Sequence, residues 1–352
     1  MNEHNNERKK NSNALTFLAL GIGAAMTWRA YLRHKRALNL SGKTVLIVGG
    51  SRGFGLILAR QLADEGAKLA LCARGETELA KAKTELESRG ANVWTAICDA
   101  TDKAQMNDVV KRAHEHFGAI DCVIYCAGYF LAGPLETLTD EDFEYSLKVH
   151  FWGAYYATMA AVPLMKADGG GRVVHISSVG GRVATPHLMA YNASKFALSG
   201  LSQGLRVELE KDNVLVTTVY PWVMRVGSLR NATFKGQHRK EYALGSIMNS
   251  NPLASDSAER AASQTIAAMK RGDASLTLHY AKAAVLVDTL FPEISKDIMS
   301  LGNRLMPKAN GEDSIGTEKR KGHESSSPLA PSRWTARIDA ESVKNNEVLD
   351  AS

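Results

Sequence analysis

The sequence predicts an α/β fold in which one doubly wound parallel sheet of about seven strands carries helices on both faces. Apolar, strand-like runs alternate with helical patterns from Ser41 to about residue 280. The first run, at 44–48, leads through a glycine-rich turn into a helical pattern. Apolar residues make up 45% and charged residues 23% of the chain, which is ordinary for a globular protein. The 352 residues suit one α/β domain with extensions, although length alone would allow two domains.

Charge and cysteine usage limit the classes of function. The net charge is +6, and residues 1–36 alone hold seven Lys/Arg and two Glu, a net charge of +5. Because no basic stripe runs along the rest of the chain, we expect no nucleic-acid partner. We also predict no metal site. The cysteines lie in or at the ends of apolar runs without a C-x-x-C pair, which predicts reduced thiols in a cytosol-facing domain: Cys72, Cys98, Cys122 and Cys126.

The basic arm at 1–36 contains a candidate membrane anchor at 14–32. Residues 14–28 carry no charge, and nineteen helical residues rise about 28 Å, close to a hydrocarbon core of about 30 Å. Trp28 and Tyr31 have the positions of interfacial aromatics, and more positive charge follows the segment than precedes it. We therefore expect a membrane-associated protein with a cytoplasmic-facing domain. The alternative is a cytoplasmic protein in which this helix docks on the body.

The turn after the first strand-like run has the composition of a dinucleotide-binding loop. Its spacing is G-x-x-x-G-x-G, in the order Gly49, Gly50, Ser51, Arg52, Gly53, Phe54 and Gly55. Gly49 permits a tight turn, Gly53 lets the backbone approach a pyrophosphate, and Gly55 lets the helix pack closely on the strand. The N-terminus of that helix faces the phosphates, and the strand–turn–helix setting strengthens the prediction. We call residues 49–55 the glycine-rich loop.

Strand-like runs recur along the chain after this loop. They lie at 68–72, 93–98, 120–125, 173–176, 214–220 and 275–279, with helical patterns between them. Asp99 directly follows one of these runs and could cap the next helix. Together with the run at 44–48, they supply the strands of the predicted sheet.

Three polar side chains, here called the catalytic group, carry the candidate chemistry. Ser178 follows the run at 173–176, and Tyr191 and Lys195 are four residues apart, so they share one helix face. A phenol titrates near pH ~10, and a nearby ammonium favours the phenolate and lowers that pKa. Tyr191 is therefore a candidate general acid or base near neutral pH, and Ser178 can hold a substrate oxygen beside it. Alternatively, Y-x-x-x-K is an ordinary helix face and Ser178 is a turn residue.

These motifs, spread from about Gly42 to Arg225, resemble those of the short-chain dehydrogenase/reductase family of single-domain Rossmann oxidoreductases. The resemblance implies hydride transfer between a nicotinamide dinucleotide and a carbonyl or alcohol. It also implies that Lys195 holds the nicotinamide ribose and that Ser178 orients the substrate. Relatives are commonly dimers or tetramers, so we expect a homo-oligomer. The implied cofactor contacts are Gly49, Ser51, Arg52, Gly53, Phe54, Gly55, Arg74, Asp99 (at the adenine ring), Cys126, Tyr191, Lys195 and Pro221.

The end of the second strand favours NADP(H) over NAD(H). An NAD-binding Rossmann domain places an acidic residue there to bond the ribose 2′-hydroxyl. Here Arg74 follows the strand, and no acidic residue occurs before Glu76. Arg74 and Arg52 can instead bind a 2′-phosphate, because guanidinium groups suit phosphate oxygens. The alternative is two ordinary surface arginines.

Several positions depart from the family pattern. The family usually has Asn where His150 stands; His150 can support a proton-relay water, or it can be a satisfied core histidine. Cys126 replaces an Asn that ties the sheet together beside the cofactor. Trp222 replaces the Gly of a Pro-Gly pair and cannot cheaply take a positive φ, which predicts a reshaped loop. Threonine is usual at two further positions, Val48 and Val226.

The C-terminal third carries fewer signals. By resemblance, residues 227–254 form a substrate lid on a catalytic domain at 41–280. Residues 281–307 are predicted to form one amphipathic helix, which either roofs the substrate site or lies on a bilayer. From 308 to 352 the composition is rich in Ser, Pro and charged residues, which predicts a disordered tail.

The predicted function is an oxidoreductase that transfers a hydride between NADP(H) and a carbonyl or alcohol. A membrane anchor would favour a lipophilic substrate, such as a long-chain keto-lipid or a steroid-like ketone. Two alternatives are an NADP(H)-binding regulatory or scaffold protein with weak or no turnover, and a membrane-tethered interaction protein. The departures at Cys126, Trp222 and Val226 motivate the scaffold, whereas the intact catalytic group favours the enzyme.

Overall fold

Strands and helices alternate along most of the chain in the structure, a computed structural model that describes residues 20–309, 316–326 and 332–347. The strands in these ranges are β1 (Thr44–Val48), β2 (Lys68–Ala73), β3 (Val93–Ile97), β4 (Cys122–Tyr125), β5 (Leu131–Ala132), β6 (Gly171–Ile176), β7 (Val214–Tyr220), β8 (Met224–Arg225), β9 (Thr233–Phe234), β10 (Asp256–Ser257), β11 (Ser275–Thr277) and β12 (Arg320–Lys321). The helices are α1 (20–35), α2 (Gly53–Asp64), α3 (Glu76–Ser88), α4 (Lys103–Phe117), α5 (Asp140–Leu147), α6 (Gly153–Ala167), α7 (Met189–Leu209), α8 (His238–Ser250), α9 (Ala258–Arg271), α10 (His279–Leu290), α11 (Pro292–Arg304) and α12 (Ser332–Lys344).

Seven of these strands form one sheet in the order β3–β2–β1–β4–β6–β7–β11. Every neighbouring pair is parallel, and β1 lies between β2 and β4, with Val48 level with Cys72 and Tyr125. The direction of winding reverses between β1 and β4. In doubly wound sheets, ligands bind at this reversal, outside the carboxyl ends of the strands. The predicted α/β class and parallel sheet are confirmed.

Two hydrophobic cores lie on opposite faces of this sheet. Helices α2, α3 and α9 cover one face, and α4, α6 and α7 cover the other. Every residue of β1 is buried, because helices cover both of its faces. Leu46 and Ile47 belong to opposite cores, since successive side chains of a strand point to opposite faces. This explains why the run at 44–48 is continuously apolar after its first residue.

The predicted single helix at 281–307 is wrong, because the structure has two helices there, α10 and α11. The break lies at Phe291, whose φ is −136° and ψ is 63°, immediately before Pro292. Proline lacks a backbone N–H and disfavours helical geometry in the residue before it, so α10 ends at this point. Large apolar side chains on or next to these helices are exposed: Leu286, Val287, Leu290, Phe291, Ile294, Ile298, Leu301 and Leu305.

Helix α1 covers part of the predicted anchor, and residues 14–19 of that prediction lie outside the described residues. The C-terminal end of α1 contacts the body. Arg33 Nε lies 2.7 Å from Asp273 Oδ1, and Arg172 donates to the backbone carbonyl of Arg36 at 2.7 Å. Within 20–309, 316–326 and 332–347, no helix combines the length and the apolarity needed to cross a membrane.

The C-terminal residues pack on the predicted lid region. Strand β9 lies between β5 and β12, β8 pairs with β10, and α12 packs on α8. The prediction of disorder is therefore wrong for 316–326 and 332–347. Ile338 of α12 is 1% exposed and belongs to a small core with Phe234 and Tyr242. The polar composition of this segment predicted disorder, because composition does not reveal contacts with a distant part of the chain.

A buried ion pair joins β9 to α5. Lys235, which follows β9, contacts Asp142, and the two side chains are 1% and 0% exposed. Lys235 Nζ also donates to the backbone carbonyl of Thr137 at 3.0 Å, and Lys319 Nζ lies 2.7 Å from Asp142 Oδ1. Burial opposes ionisation of Asp142, but hydrogen bonds from Lys235 and Lys319 outweigh it and hold the pKa of Asp142 below its ordinary value.

Candidate active site

The glycine-rich loop lies between β1 and α2, at the carboxyl end of the sheet. Gly49 has a φ of 85°, and a Cβ on it would lie 2.8 Å from the backbone nitrogen of Ala127. A Cβ on Gly55 would overlap the carbonyl oxygen of Gly49, and Ser51 is buried within the loop. Arg52, the N-cap of α2, makes no side-chain capping hydrogen bond, so the first N–H groups of α2 need other acceptors. This backbone fits a dinucleotide pyrophosphate.

Backbone hydrogen bonds hold the neighbouring strand ends around this loop. The N–H of Cys126 donates to the carbonyl of Val48 at 2.9 Å, and the carbonyl of Pro221 accepts from the N–H of Val179 at 2.8 Å. Burial raises the pKa of the Cys126 thiol to about 12, so this side chain is an inert thiol. The side chain of Phe54 packs in the core, which leaves its backbone to face the loop.

Three basic side chains lie near the end of β2. Arg74 follows β2, is exposed, and donates from Nη1 to the hydroxyl of Tyr145 at 2.9 Å. Arg52 lies at the start of α2. Lys321 of β12 is close enough that burial, followed by the charges of Arg52 and Arg74, lowers its pKa. Such a group of cations suits a phosphate. Lys321 was not predicted as a site residue, because it lies in the segment predicted to be disordered.

Asp99 lies beyond the end of β3 and has a local hydrogen-bonding role. Its Oδ1 accepts from the backbone N–H and from the hydroxyl of Thr101, both at 2.9 Å. The alternative that Asp99 caps α4 is wrong, since Asp102 is the N-cap and accepts from the N–H groups of Ala104 and Gln105. Asp99 therefore stays at the carboxyl edge of the sheet, and its cofactor contact remains a prediction.

The catalytic group converges beyond the carboxyl end of β6. The Oγ of Ser178 accepts from the N–H of Gly180 at 3.1 Å, which fixes the position of the hydroxyl. Tyr191 lies in the first turn of α7, close enough that the hydroxyl of Ser178 acts to lower the pKa of its phenol. Lys195 lies one turn further along α7, with its Nζ 5.7 Å from the centre of the Tyr191 ring. The structure thus brings the three predicted side chains together.

Burial dominates the protonation of this group. It raises the pKa of Tyr191, and the hydrogen bond with Ser178 offsets this only in part. Burial also lowers the pKa of Lys195 to about 8. The Nζ of Lys195 donates to the backbone carbonyl of Ile176 at 2.9 Å. The predicted lowering of the Tyr191 pKa by Lys195 is therefore wrong for this arrangement, and Tyr191 is a protonated phenol at neutral pH.

His150 lies beside Tyr191 in a π-helical turn at Lys148–Trp152, with the two ring centres 5.4 Å apart. Its Nε2 accepts from the N–H of Tyr129 at 3.1 Å, and its Nδ1 lies 2.8 Å from Ser194 Oγ. Burial holds the pKa of His150 well below its ordinary value, so the imidazole is neutral. Of the two alternatives, this geometry favours the satisfied core histidine, although π-turns are frequent at functional sites.

The two departures near the lid have structural roles. The backbone of Trp222 does not take a positive φ, and its Nε1 donates to the carbonyl of Ala254 at 2.8 Å. Val226 is 5% exposed and packs in the core beside α2 and α9. Trp222 therefore joins the region predicted as a lid to the body, and Val226 packs in the core immediately before that region.

Two side chains without a signal in the sequence lie between the predicted lid region and the catalytic group. His187, with a φ of 61°, precedes α7, and its Nδ1 lies 2.5 Å from Oε1 of Glu241 on α8. Phe130 packs on Tyr191 with ring centres 5.2 Å apart. No local pattern marks these residues, because each acts through a contact that is distant in sequence.

The residues after α12 reach the glycine-rich loop. The carbonyl of Asn345 accepts from the N–H of Gly53 at 2.8 Å, and Oε2 of Glu347 lies 3.6 Å from Nε of Arg52. These residues were not predicted to lie near the loop. The available signal was the Asn-Asn pair at 345–346, because asparagine tolerates left-handed backbone and Asn346 has a φ of 57°.

Known proteins share this sequence pattern. The family model described as short chain dehydrogenase matches residues 43–236. A 3-ketodihydrosphingosine reductase of Bos taurus is 36% identical over 191 residues, which cover 53% of this chain and 58% of the relative. A tropinone reductase homolog of Arabidopsis thaliana is 34% identical over 193 residues, which cover 54% of this chain and 72% of the relative. The chain thus spans less than two thirds of the mammalian reductase it matches.

Solved structures share the fold. A variant of actinorhodin polyketide ketoreductase, solved with NADPH, superimposes with a TM-score of 0.60 at 26% identity, over 69% of this chain and 97% of that one. Levodione reductase superimposes with a TM-score of 0.61 at 23% identity, over 70% of this chain and 99% of that one. With the glycine-rich loop, the parallel sheet and the family match together, the chain belongs to the short-chain dehydrogenase/reductase family.

Proposed function

We propose that the chain is an NADP(H)-dependent oxidoreductase that reduces the carbonyl of a lipophilic substrate. The observation that carries this proposal is the meeting of Ser178, Tyr191 and Lys195 beyond the end of β6. Family membership supports hydride transfer as the reaction type. The tight backbone at Gly49 and Gly55 supports a dinucleotide as the cofactor.

Each member of the catalytic group has a separate role in this proposal. NADPH supplies the hydride when it is bound. Ser178 donates a hydrogen bond to the substrate carbonyl oxygen, Tyr191 gives that oxygen its proton, and Lys195 holds the nicotinamide ribose. His150 supports the wall beside Tyr191. Because burial raises the pKa of Tyr191, the protonated phenol predominates at neutral pH, which favours reduction over oxidation.

Arg74→Asp is expected to shift the cofactor preference from NADPH towards NADH. The new carboxylate would repel a 2′-phosphate and accept a hydrogen bond from a 2′-hydroxyl. Loss of one charged hydrogen bond should weaken NADPH binding about 10- to 100-fold. Titration by nicotinamide fluorescence, with both nucleotides and both proteins, measures the change.

The exposed Arg112 on α4 gives a matched control, because it pairs with Asp108 on its own helix. Arg112→Asp should leave the nucleotide preference unchanged. An unchanged preference in Arg74→Asp would remove Arg74 from the proposed phosphate site.

Relatives named 3-ketodihydrosphingosine reductase support a long-chain keto-lipid as the substrate. Exposed apolar side chains on α1, α10 and α11 support work at a bilayer surface. We expect the full chain to float with phospholipid vesicles and to oxidise NADPH when those vesicles carry 3-ketodihydrosphingosine. Turnover of small soluble ketones alone, without flotation, would contradict both the lipid substrate and the membrane association.

The expected homo-oligomer also belongs to this proposal. Exposed apolar side chains on or beside α6 and α7 offer a surface for a second copy: Trp152, Met159, Phe196 and Val207. Val207 is the most exposed of these, at 77%. Sedimentation of the full chain should give a dimer or larger species, and a monomer at micromolar concentration would remove this part of the proposal.

A second candidate function is an NADP(H)-binding regulatory or scaffold protein with weak or no turnover. The inert thiol at Cys126 and the anchoring of Trp222 to the lid favour it. The two candidates differ in one result. The scaffold binds NADPH in the fluorescence titration but oxidises none of it with any ketone in the panel.

A further inference from the structure

Residues 345–347 occupy the part of the glycine-rich loop where a phosphate would bind. The N–H of Gly53, the first of α2, donates to the carbonyl of Asn345 at 2.8 Å. N–H groups at a helix start are the donors that hold phosphate oxygens. Asn346 Nδ2 donates to the backbone carbonyls of Ser51 and Glu78, at 3.0 and 2.9 Å. The segment therefore uses the loop's own hydrogen-bonding groups.

Glu347 places a carboxylate directly on this loop. Its side chain is 5% exposed, and a Cβ on Gly53 would overlap its Oε1. Arg52 Nε lies 3.6 Å from Oε2 of Glu347, and Asn231 Nδ2 donates to the same oxygen at 2.6 Å. Burial raises the pKa of Glu347, and the charge of Arg52 and the hydrogen bond from Asn231 offset that effect only in part. Here the carboxylate stands in for an anionic ligand.

Helix α12 holds this segment in place from several sides. Ile338 packs in the small core with Phe234 and Tyr242. Ser342 donates from Oγ to the carbonyl of Gly227 at 2.9 Å, and Arg60 donates from Nη1 to Oδ1 of Asn345 at 2.9 Å. The contacts reach the lid and α2, so residues 345–347 are positioned by folded structure.

We propose that residues 345–347, here called the C-terminal plug, compete with the dinucleotide for the glycine-rich loop. This inference rests on the proposed function, because it takes the dinucleotide to bind at that loop. The N–H of Gly53 cannot donate to the plug and to a phosphate at the same time. The Glu347 carboxylate also fills the space next to Gly53 that a phosphate would need. Only molecules with the plug released bind the cofactor, and the apparent affinity falls by the fraction that is released.

Two full-length variants test this competition. Ile338→Asp undocks α12 by burying a charge in its small core. The triple variant Asn345→Ala, Asn346→Ala, Glu347→Ala removes the side-chain contacts that hold the plug on the loop, keeps only the backbone carbonyl at 345, and leaves α12 intact. Val343→Asp is the matched control, because Val343 lies on the same helix and is 72% exposed. Nicotinamide fluorescence gives the Kd for NADPH, and hydrogen–deuterium exchange reports the amides at 53–56 and 335–347 without any turnover.

Both variants are expected to bind NADPH about 10- to 100-fold more tightly than the wild type. This is the change in Kd expected when two or three hydrogen bonds no longer favour the plugged state. The amides at 53–56 should exchange faster in both variants than in the wild type. NADPH should accelerate exchange at 335–347 in the wild type. The Val343→Asp variant should match the wild type throughout.

Two outcomes overturn the inference in different ways. Unchanged Kd values, with equal exchange at 53–56 in all proteins, would show that the plug does not cover the loop, while the wild-type titration still decides the proposed function. Faster exchange at 53–56 without any NADPH binding would show that the plug is released and that the loop does not bind the cofactor, so the proposed function and the competition would fail together.

Discussion

Tyr191→Phe is expected to lower kcat for carbonyl reduction by about 10²- to 10⁴-fold, the usual contribution of a positioned general acid. The phenol hydroxyl is the proposed proton donor, and burial keeps it protonated at neutral pH by raising the pKa of Tyr191. Phenylalanine keeps the ring that packs on Phe130 and His150, so folding and NADPH affinity should change little. NADPH oxidation followed by absorbance gives kcat and KM, and fluorescence titration gives the Kd.

The pH profile supplies an independent check of the same site. Burial lowers the pKa of Lys195 to about 8. In the proposed mechanism the charged ammonium of Lys195 holds the nicotinamide ribose, and this charge is lost above that pH. The reduction rate of the wild type should therefore fall as the pH rises through about 8. Lys195→Arg keeps its charge at every accessible pH, so any residual activity should lack this fall. A loss of less than about tenfold in Tyr191→Phe would contradict the proton-donor role.

Lys235→Met is expected to destabilise the protein by about 3–5 kcal/mol, the usual cost of leaving one member of a buried ion pair without its partner. Asp142 would keep its place at 0% exposure and lose its most buried cation. The midpoint and slope of urea unfolding, compared with the wild type, measure the loss. The double variant Lys235→Met, Asp142→Leu should recover most of it, since it removes the unpaired charge.

Lys319 provides the control for this pair. It contacts the same carboxylate but is 45% exposed, so Lys319→Met should cost about 0–1 kcal/mol. Folding lowers the pKa of Asp142, so the stabilisation is complete at neutral pH. It is lost as the pH falls below the ordinary aspartate pKa of about 4 and through the lower folded value. Equal stability of Lys235→Met and the wild type at neutral pH would contradict this account.

The sequence predicted the sheet and the glycine-rich loop well because their signals are local. The continuous apolar run at 44–48 predicts a strand covered on both faces, and β1 has those bounds. The spacing of Tyr191 and Lys195 predicts one helix face, and both lie on α7. In each case, neighbours in sequence determine the geometry.

Features that depend on distance in space were beyond local patterns. The effect of Lys195 on the pKa of Tyr191 depends on burial and on the direction of the ammonium group. The Y-x-x-x-K spacing predicts neither of them. The tail composition indicated disorder, yet Ile338 finds a core built by the lid. The break before Pro292 is different, because a proline in the sequence does predict a helix boundary there. The continuous apolar periodicity of 281–307 nevertheless favoured a single helix.

The position of the C-terminal plug in the chain has a consequence for biosynthesis. Asn346 and Ser51, which it contacts, are 295 residues apart. Ribosomes add about 5–20 residues per second, so at least about 15 s separate the emergence of the two segments. During that interval the glycine-rich loop has no plug to cover it. Under the proposed competition, a nucleotide present during translation meets the loop before the plug exists, whereas a molecule completed without nucleotide must release the plug before it binds one.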